Sequence, residues 1–176
     1  MARDADHRGV PGAIVDCGVW NGGSTILLHN GAPTREVWAF DSFEGLPEPT
    51  EQDGAEATGW KGECLGAEAR LREGFARFGD PSRLHVVKGW FDDTFPSAAP
   101  EVGDVAVLHA DGDWYDSVLL TLRTFYPRVS SGGWIVIDDY GHWVGAQRAT
   151  DEFRREVGDT TPLQRIDYSG RCWRKP

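Results

Sequence analysis

Three carboxylates, Asp111, Asp113 and Asp116, follow directly on the apolar run Val105–Ala110, and two more, Asp138 and Asp139, follow the run Trp134–Ile137. Short apolar runs bounded in this way read as buried strands. In an open parallel α/β sheet, ligands sit in the crevice beyond the carboxyl ends of the strands. Two neighbouring strands that both end in acid therefore aim up to five carboxylates at one crevice. Like charges so close are costly unless protons or a cation neutralise them. The chemistry expected is a divalent metal site built by Asp111, Asp138 and Asp139. Helix capping is the competing use, since Asp is a favoured N-cap. It accounts for Asp113 and Asp116, but poorly for two adjacent acids beside a third on the next strand.

Other elements must hold a ligand against that crevice. Residues 13–19 predict the first strand, and Gly18-Val-Trp-Asn-Gly-Gly-Ser24 a glycine turn into a helix over 24–30. Gly18 and Gly22 let a ligand approach the backbone, and a helix starting at Ser24 offers it free N–H groups. The P-loop lysine is missing, and the glycine spacing is not that of a dinucleotide fingerprint. What remains is an acidic strand with a glycine turn, Asp16-x-Gly18-x-x-x-Gly22, of the kind seen in S-adenosylmethionine-dependent methyltransferases. The second strand, 36–40, ends in Asp41, where such folds grip ribose hydroxyls; a turn-capping role competes. Residues 42–62 are rich in Gly, Pro and acid without apolar periodicity. Loops this long are functional or disordered, and a mobile lid over the site is expected here, with a plain disordered insertion as the alternative.

Helical spacing follows over 63–79, then a third strand, 84–88, running into Gly89-Trp90-Phe91. Those aromatics suit a sandwich for adenine, or ordinary core packing. Helices are predicted over 114–128 and 144–157, a loop over 129–133, and a closing hairpin from 163–168 and 171–174. The expected fold is α/β, a Rossmann-like seven-stranded class I methyltransferase sheet, mostly parallel with a C-terminal antiparallel hairpin. A single domain over 1–176 with a frayed, flexible N-terminus over 1–12 completes it.

Composition narrows the partners. With 18 basic and 28 acidic residues, a net charge of −10, the chain has no basic stripe for nucleic acid. An anionic membrane surface would repel it, and no apolar run approaches a membrane span or a signal-peptide core. Cys17, Cys64 and Cys172 lie far apart, which argues against zinc and disulfides and for a reducing, cytoplasmic setting. Eight Trp is a high number; some are expected to line a cleft, most to pack the core. Trp143 and Trp173 are available for an interface, so a homo-oligomer stays open.

Five segments in this order carry a specific likeness: Gly18-Val-Trp-Asn-Gly-Gly-Ser24, Phe40-Asp-Ser-Phe-Glu-Gly-Leu-Pro47, Gly89-Trp-Phe-Asp-Asp-Thr-Phe95, Asp111-Gly-Asp-Trp-Tyr-Asp-Ser117 and Ile137-Asp-Asp-Tyr-Gly-His142. From about Gly12 onward the chain resembles the macrocin O-methyltransferase (TylF-type) family. The resemblance implies S-adenosylmethionine and Mg²⁺ as cofactors and a sugar hydroxyl of an antibiotic or its precursor as the acceptor. It implies metal ligands at Asp111, Asp138 and Asp139, with Asp111 also touching the cofactor and acting as general base. It places cofactor contacts at Asp16, Gly18, Trp20, Asp41, Ser42 and Gly89–Phe91, to which the glycine turn adds Gly22 and Ser24. His142, directly after the metal acids, is a candidate for substrate contact or proton transfer. Asp16 stands where the family usually has Glu. Relatives also carry a helical segment before the first strand, where only residues 1–12 stand here.

A catechol acceptor satisfies the same metal geometry. Asp111-Gly-Asp113 also fits the D-x-D of a metal-dependent glycosyltransferase, which leaves Asp16–Ser24 without a job. A phosphatase with a nucleophilic Asp expects its motif on the first core strand. A non-catalytic S-adenosylmethionine sensor needs neither Asp138 nor Asp139.

Overall fold

The computed structural model describes residues Met1–Pro176. Five parallel strands, β1 (Ala13–Cys17), β2 (Val37–Asp41), β3 (Leu84–Lys88), β4 (Val105–Ala110) and β5 (Val129–Ile137), are joined by β6 (Gln164–Arg165) and β7 (Arg171–Arg174) in the order β3-β2-β1-β4-β5-β7-β6. The last two pair antiparallel, β7 against β5 and β6 against β7. This is the expected class I methyltransferase sheet. Every residue of β1 and β4 is buried, because helices cover both faces at the centre of the sheet.

The side chains of β1 alternate between those two layers. Ala13, Val15 and Cys17 join the core beneath α4 (Phe91–Val102), α5 (Tyr115–Phe125) and α6 (Val144–Val157). Ile14 joins the core beneath α1 (Ala2–His7) and α2 (Gly23–Gly31). Asp16 lies on that second face, in register with His109 of β4. The strand order puts the ends of β1 and β4 side by side at the switch point, and β5 next to β4, so Gly18, Asp111 and Asp138 open on one crevice.

Three expectations need correction, and one helix, α4, was not foreseen. Residues 1–12 do not fray: α1 buries Ala2 and Ala5, Arg35 bonds to Asp6, and Trp134 and Arg174 bond to Asp4. Residues 91–102 form α4 despite Pro96 and Pro100. Its buried residues Phe95, Ala98, Ala99 and Val102 follow the i, i+3, i+4, i+7 spacing, and this packing outweighs the lost backbone bonds. Ser130–Gly133 belong to β5, with a register break where Val105 pairs Val129 but Val107 pairs Trp134. The third long helix, α3, begins only at Glu68 and ends at Phe78. A Cβ on Gly66 would lie 2.5 Å from the Trp20 carbonyl oxygen, so the chain passes too close to the glycine turn to coil earlier.

Trp143 and Trp173 are buried within this chain and offer no surface for an interface. Trp173 Nε1 and the Tyr126 hydroxyl both donate to Asp159 Oδ2, each at 2.8 Å, and Thr161 N donates to Oδ1. Burial alone would raise the Asp159 pKa, but these donors outweigh it and hold the pKa below the ordinary value. Its contribution is thus present above the unfolded pKa and lost as pH falls through the folded one. Asp159→Ala should cost about 1–3 kcal/mol at pH 7, by stranding two buried donors. In denaturant titrations the gap from the unsubstituted protein should narrow as pH falls below about 4; a gap that does not narrow there would refute the assignment.

Candidate active site

The crevice at the carboxyl ends of β1, β2, β4 and β5 is a cavity of about 630 Å³, a size that suits a cofactor-like ligand. The expected site residues Gly18, Trp20, Asp41, Ser42, Trp90, Phe91, Asp111, Asp138 and Asp139 all line it. Asp16, Gly22, Ser24, Gly89 and His142 do not.

Gly18 lies at the tightest point. A Cβ there would be 1.8 Å from the Asp111 carbonyl oxygen, and its φ of +91° suits glycine. Trp20, at φ +48°, donates its backbone N–H to Asp41 Oδ2 at 2.8 Å, and Phe43, at φ +55°, donates to Oδ1 at 2.7 Å. Burial raises the Asp41 pKa, and these N–H bonds oppose the rise. The remaining positive-φ residues outside glycine are Cys64 and Asp113, which also line the cavity. Strained backbone concentrates where a site is held in place by its surroundings.

Asp16 lies beneath the cleft floor. It is fully buried and accepts from Thr25 Oγ1 at 2.7 Å, Ser24 Oγ at 3.1 Å and His109 Nδ1 at 2.7 Å. It therefore clamps the start of α2 to β1, and Ser24 is spent on the clamp. His109 Nε2 reaches to 3.7 Å from Asp138 Oδ1. Burial disfavours the imidazolium, but Asp16 and Asp138 more than compensate, and its pKa is raised. The neighbouring imidazole in turn holds Asp138 low.

Asp111 is the hub. Its carboxylate meets two sets of possible ligand atoms, one with His109 and Asp138, the other with Asp113 and Asp139, each set lying within 4.8 Å. Burial and then the neighbouring carboxylates push its pKa well above the ordinary range, Asp139 to about 7 and Asp113 to about 6. Crowded hard oxygens that resist ionising together are the donor set a divalent cation relieves. The residues present fit Mg²⁺.

Two contributors were not read from the sequence. His109 was hidden within an apolar run. Asp53, within the loop 42–62, is buried and accepts from Tyr115 N at 2.6 Å, capping α5 from a distance. No side chain of the adjoining turn caps that helix, so the capping role foreseen for Asp113 falls to Asp53. Asp113 instead accepts from Trp143 Nε1 at 3.0 Å. A Cβ on Gly145 would lie 2.0 Å from Asp53 Oδ1, so α6 needs glycine where the loop docks. Trp114 Nε1 donates to the Pro47 carbonyl and Arg148 to that of Gln52, which seats the loop across the cleft.

The macrocin-O-methyltransferase (TylF) family pattern matches residues 1–175. The chain belongs to that family. It is 36% identical to the 8-demethyl-8-(2,3-dimethoxy-alpha-L-rhamnosyl)-tetracenomycin-C 4'-O-methyltransferase of Streptomyces olivaceus, over 94% of this chain and 67% of that relative. It is 34% identical to the demethyldecarbamoylnovobiocin O-methyltransferase of Streptomyces niveus, over 98% of this chain and 70% of that relative. Among solved structures, the O-methyltransferase NovP superposes with a TM-score of 0.87 at 33% identity, covering 99% of this chain and 77% of that one. This member of the macrocin O-methyltransferase family is thus a methyltransferase in fold and in enzyme class. No helix is long and apolar enough to cross a membrane.

Proposed function

We propose that this chain methylates a sugar hydroxyl of a natural product or its precursor, using S-adenosylmethionine and Mg²⁺, in the cytoplasm. The observation that carries the reading is a pair of ligand sets that share Asp111, one with His109 and Asp138 and the other with Asp113 and Asp139, beside the Gly18–Asp41 crevice. Relatives that methylate rhamnosyl tetracenomycin and novobiocin intermediates support the acceptor class. When bound, S-adenosylmethionine supplies an electrophilic methyl and the cation supplies Lewis acidity to the acceptor hydroxyl.

The chain's own residues do the rest. Asp41, its carboxylate oriented by two backbone N–H groups, binds ribose hydroxyls. Phe91, stacked on Phe95 at 4.8 Å, and Trp90 flank the adenine. Asp111, Asp138 and Asp139 hold the cation, with Asp138 positioned by His109. Asp111 takes the hydroxyl proton, and the loop 42–62, opening to admit ligands, excludes water when seated.

One observation favours a second assignment of the base. Asp113 projects from a left-handed backbone at φ +57°, and its carboxylate is fixed by Trp143. Where Asp111, Asp138 and Asp139 hold the cation, Asp113 is left to accept the proton. Cation affinity separates the two: Asp111→Asn should weaken it, whereas a base that is not a ligand can be replaced without that loss.

The reading is tested by S-adenosylhomocysteine release from S-adenosylmethionine and a glycoside acceptor. EDTA should reduce turnover below about a hundredth, and Mg²⁺ should restore it. Undiminished methylation after chelation would refute the metal role.

A further inference from the structure

His109 has one ring nitrogen in use and one without a partner. Nδ1 donates to Asp16 Oδ1 at 2.7 Å, and Asp16 is itself held by Thr25 and Ser24. Nε2 faces the other way, towards the acids. Asp138 Oδ1 lies 3.7 Å from it, beyond hydrogen-bond range. The side chain is only 8% exposed, and ring nitrogens so enclosed are ordinarily satisfied. This one is aimed at carboxylates and bonded to none.

The spacing suits a shared metal ion. Two donor atoms that each lie about 2.1 Å from one dication stand roughly 3–4 Å apart. His109 Nε2 and carboxylate oxygens of Asp111 and Asp138 all lie within 4.8 Å of one another. Metal-bound histidines characteristically donate the other ring N–H to a carboxylate, which fixes the tautomer and the ring. Asp16 stands in that place. His142, the other imidazole near the acids, belongs to neither ligand set. It meets Trp143 at 4.4 Å and Tyr168 at 5.9 Å, in an aromatic row at the rim.

Charge points the same way. One Mg²⁺, held through Asp111 and Asp139, answers half the charge of the four carboxylates Asp111, Asp113, Asp138 and Asp139. The donor types also differ: oxygens alone suit Mg²⁺, whereas an imidazole nitrogen beside two carboxylates draws a first-row transition metal. Resting on the Mg²⁺ reading above, we propose that His109, Asp111 and Asp138 form a second cation position, taken by a transition-metal dication of the Mn²⁺ type. His109 Nε2 supplies its nitrogen ligand, the cation standing in place of a ring proton. Asp111, common to both ligand sets, bridges the two positions, and Asp16 orients the imidazole.

The test uses the full chain, stripped with EDTA and returned to excess Mg²⁺, with Mn²⁺ added as the probe. Mg²⁺ in excess fills the oxygen side, so tightly bound Mn²⁺ reports the nitrogen side. Pulsed electron paramagnetic resonance should show the bound Mn²⁺ coupled to an imidazole nitrogen, and the coupling should persist in His142→Gln. His109→Gln should remove it and weaken Mn²⁺ at least tenfold, while Mg²⁺ affinity, read by calorimetry, falls by no more than about threefold. If that variant does not fold, the coupling in the unsubstituted chain and in His142→Gln decides alone. No nitrogen coupling in the unsubstituted chain, its loss in His142→Gln, or equal losses of Mn²⁺ and Mg²⁺ affinity in His109→Gln would overturn the proposal. Nitrogen-coupled Mn²⁺ in a chain that fails to bind Mg²⁺ would instead refute the Mg²⁺ reading alone.

Discussion

Asp111→Asn should lower kcat by about 10³-fold while S-adenosylhomocysteine still binds. The substitution keeps the side chain's shape and removes its charge. The backbone beneath it is gripped independently, since the Asp111 N–H donates to the Cys17 carbonyl at 2.8 Å and its own carbonyl lies against Gly18. Ligands on the cofactor side of the crevice, Asp41 above all, are untouched. The lost charge is the one shared by both candidate ligand sets, so weaker Mg²⁺ binding should accompany the lost turnover. Steady-state kinetics and calorimetry on one preparation read both effects. Turnover near that of the unsubstituted protein would sink the assignment of Asp111 as ligand and base.

His109→Leu should destabilise the fold by about 3–5 kcal/mol, lowering the melting temperature by about 10 °C. Asp16 is fully buried, and without the imidazole it would keep two hydroxyl donors but no counter-charge. The cost comes from the carboxylate left behind, so the double variant Asp16→Asn/His109→Leu should lose less than the two single variants together. Thermal unfolding of the four proteins completes the cycle. A single His109→Leu variant within about 1 kcal/mol of the parent would show that Asp16 is not held as described. The same substitution frees Asp138, so Mg²⁺ affinity should fall as well.

The parts of the fold legible in the sequence are those set by local chemistry. Apolar runs ending in acid marked β4 and β5, a glycine turn marked the β1–α2 junction, and the final turn residues marked the hairpin. Each depends on neighbours a few positions away, as strand burial and turn conformation do. That Asp41, Asp111, Asp138 and Asp139 share one crevice was legible for the same reason, being at strand ends whose order the motifs imply. Helix α4 was not, because its prolines signal a break and only burial against β2 and α5 overrides them. The N-terminal helix was not, because α1 gains its stability from Trp134, Arg35 and Arg174, far along the chain.

Sequence alone thus determined the fold class, the acidic crevice and the family likeness of this protein. Tertiary structure decided how the acids divide their labour. It moved Asp16 from the cleft into a buried clamp with His109, took capping from Asp113 and gave it to Asp53, and set His142 in an aromatic row at the rim. The bonds that fix Asp16, Asp53 and Asp113 join residues 30 to 93 positions apart. Charge, burial and hydrogen bonding across such separations exist only once the sheet has brought the strands together.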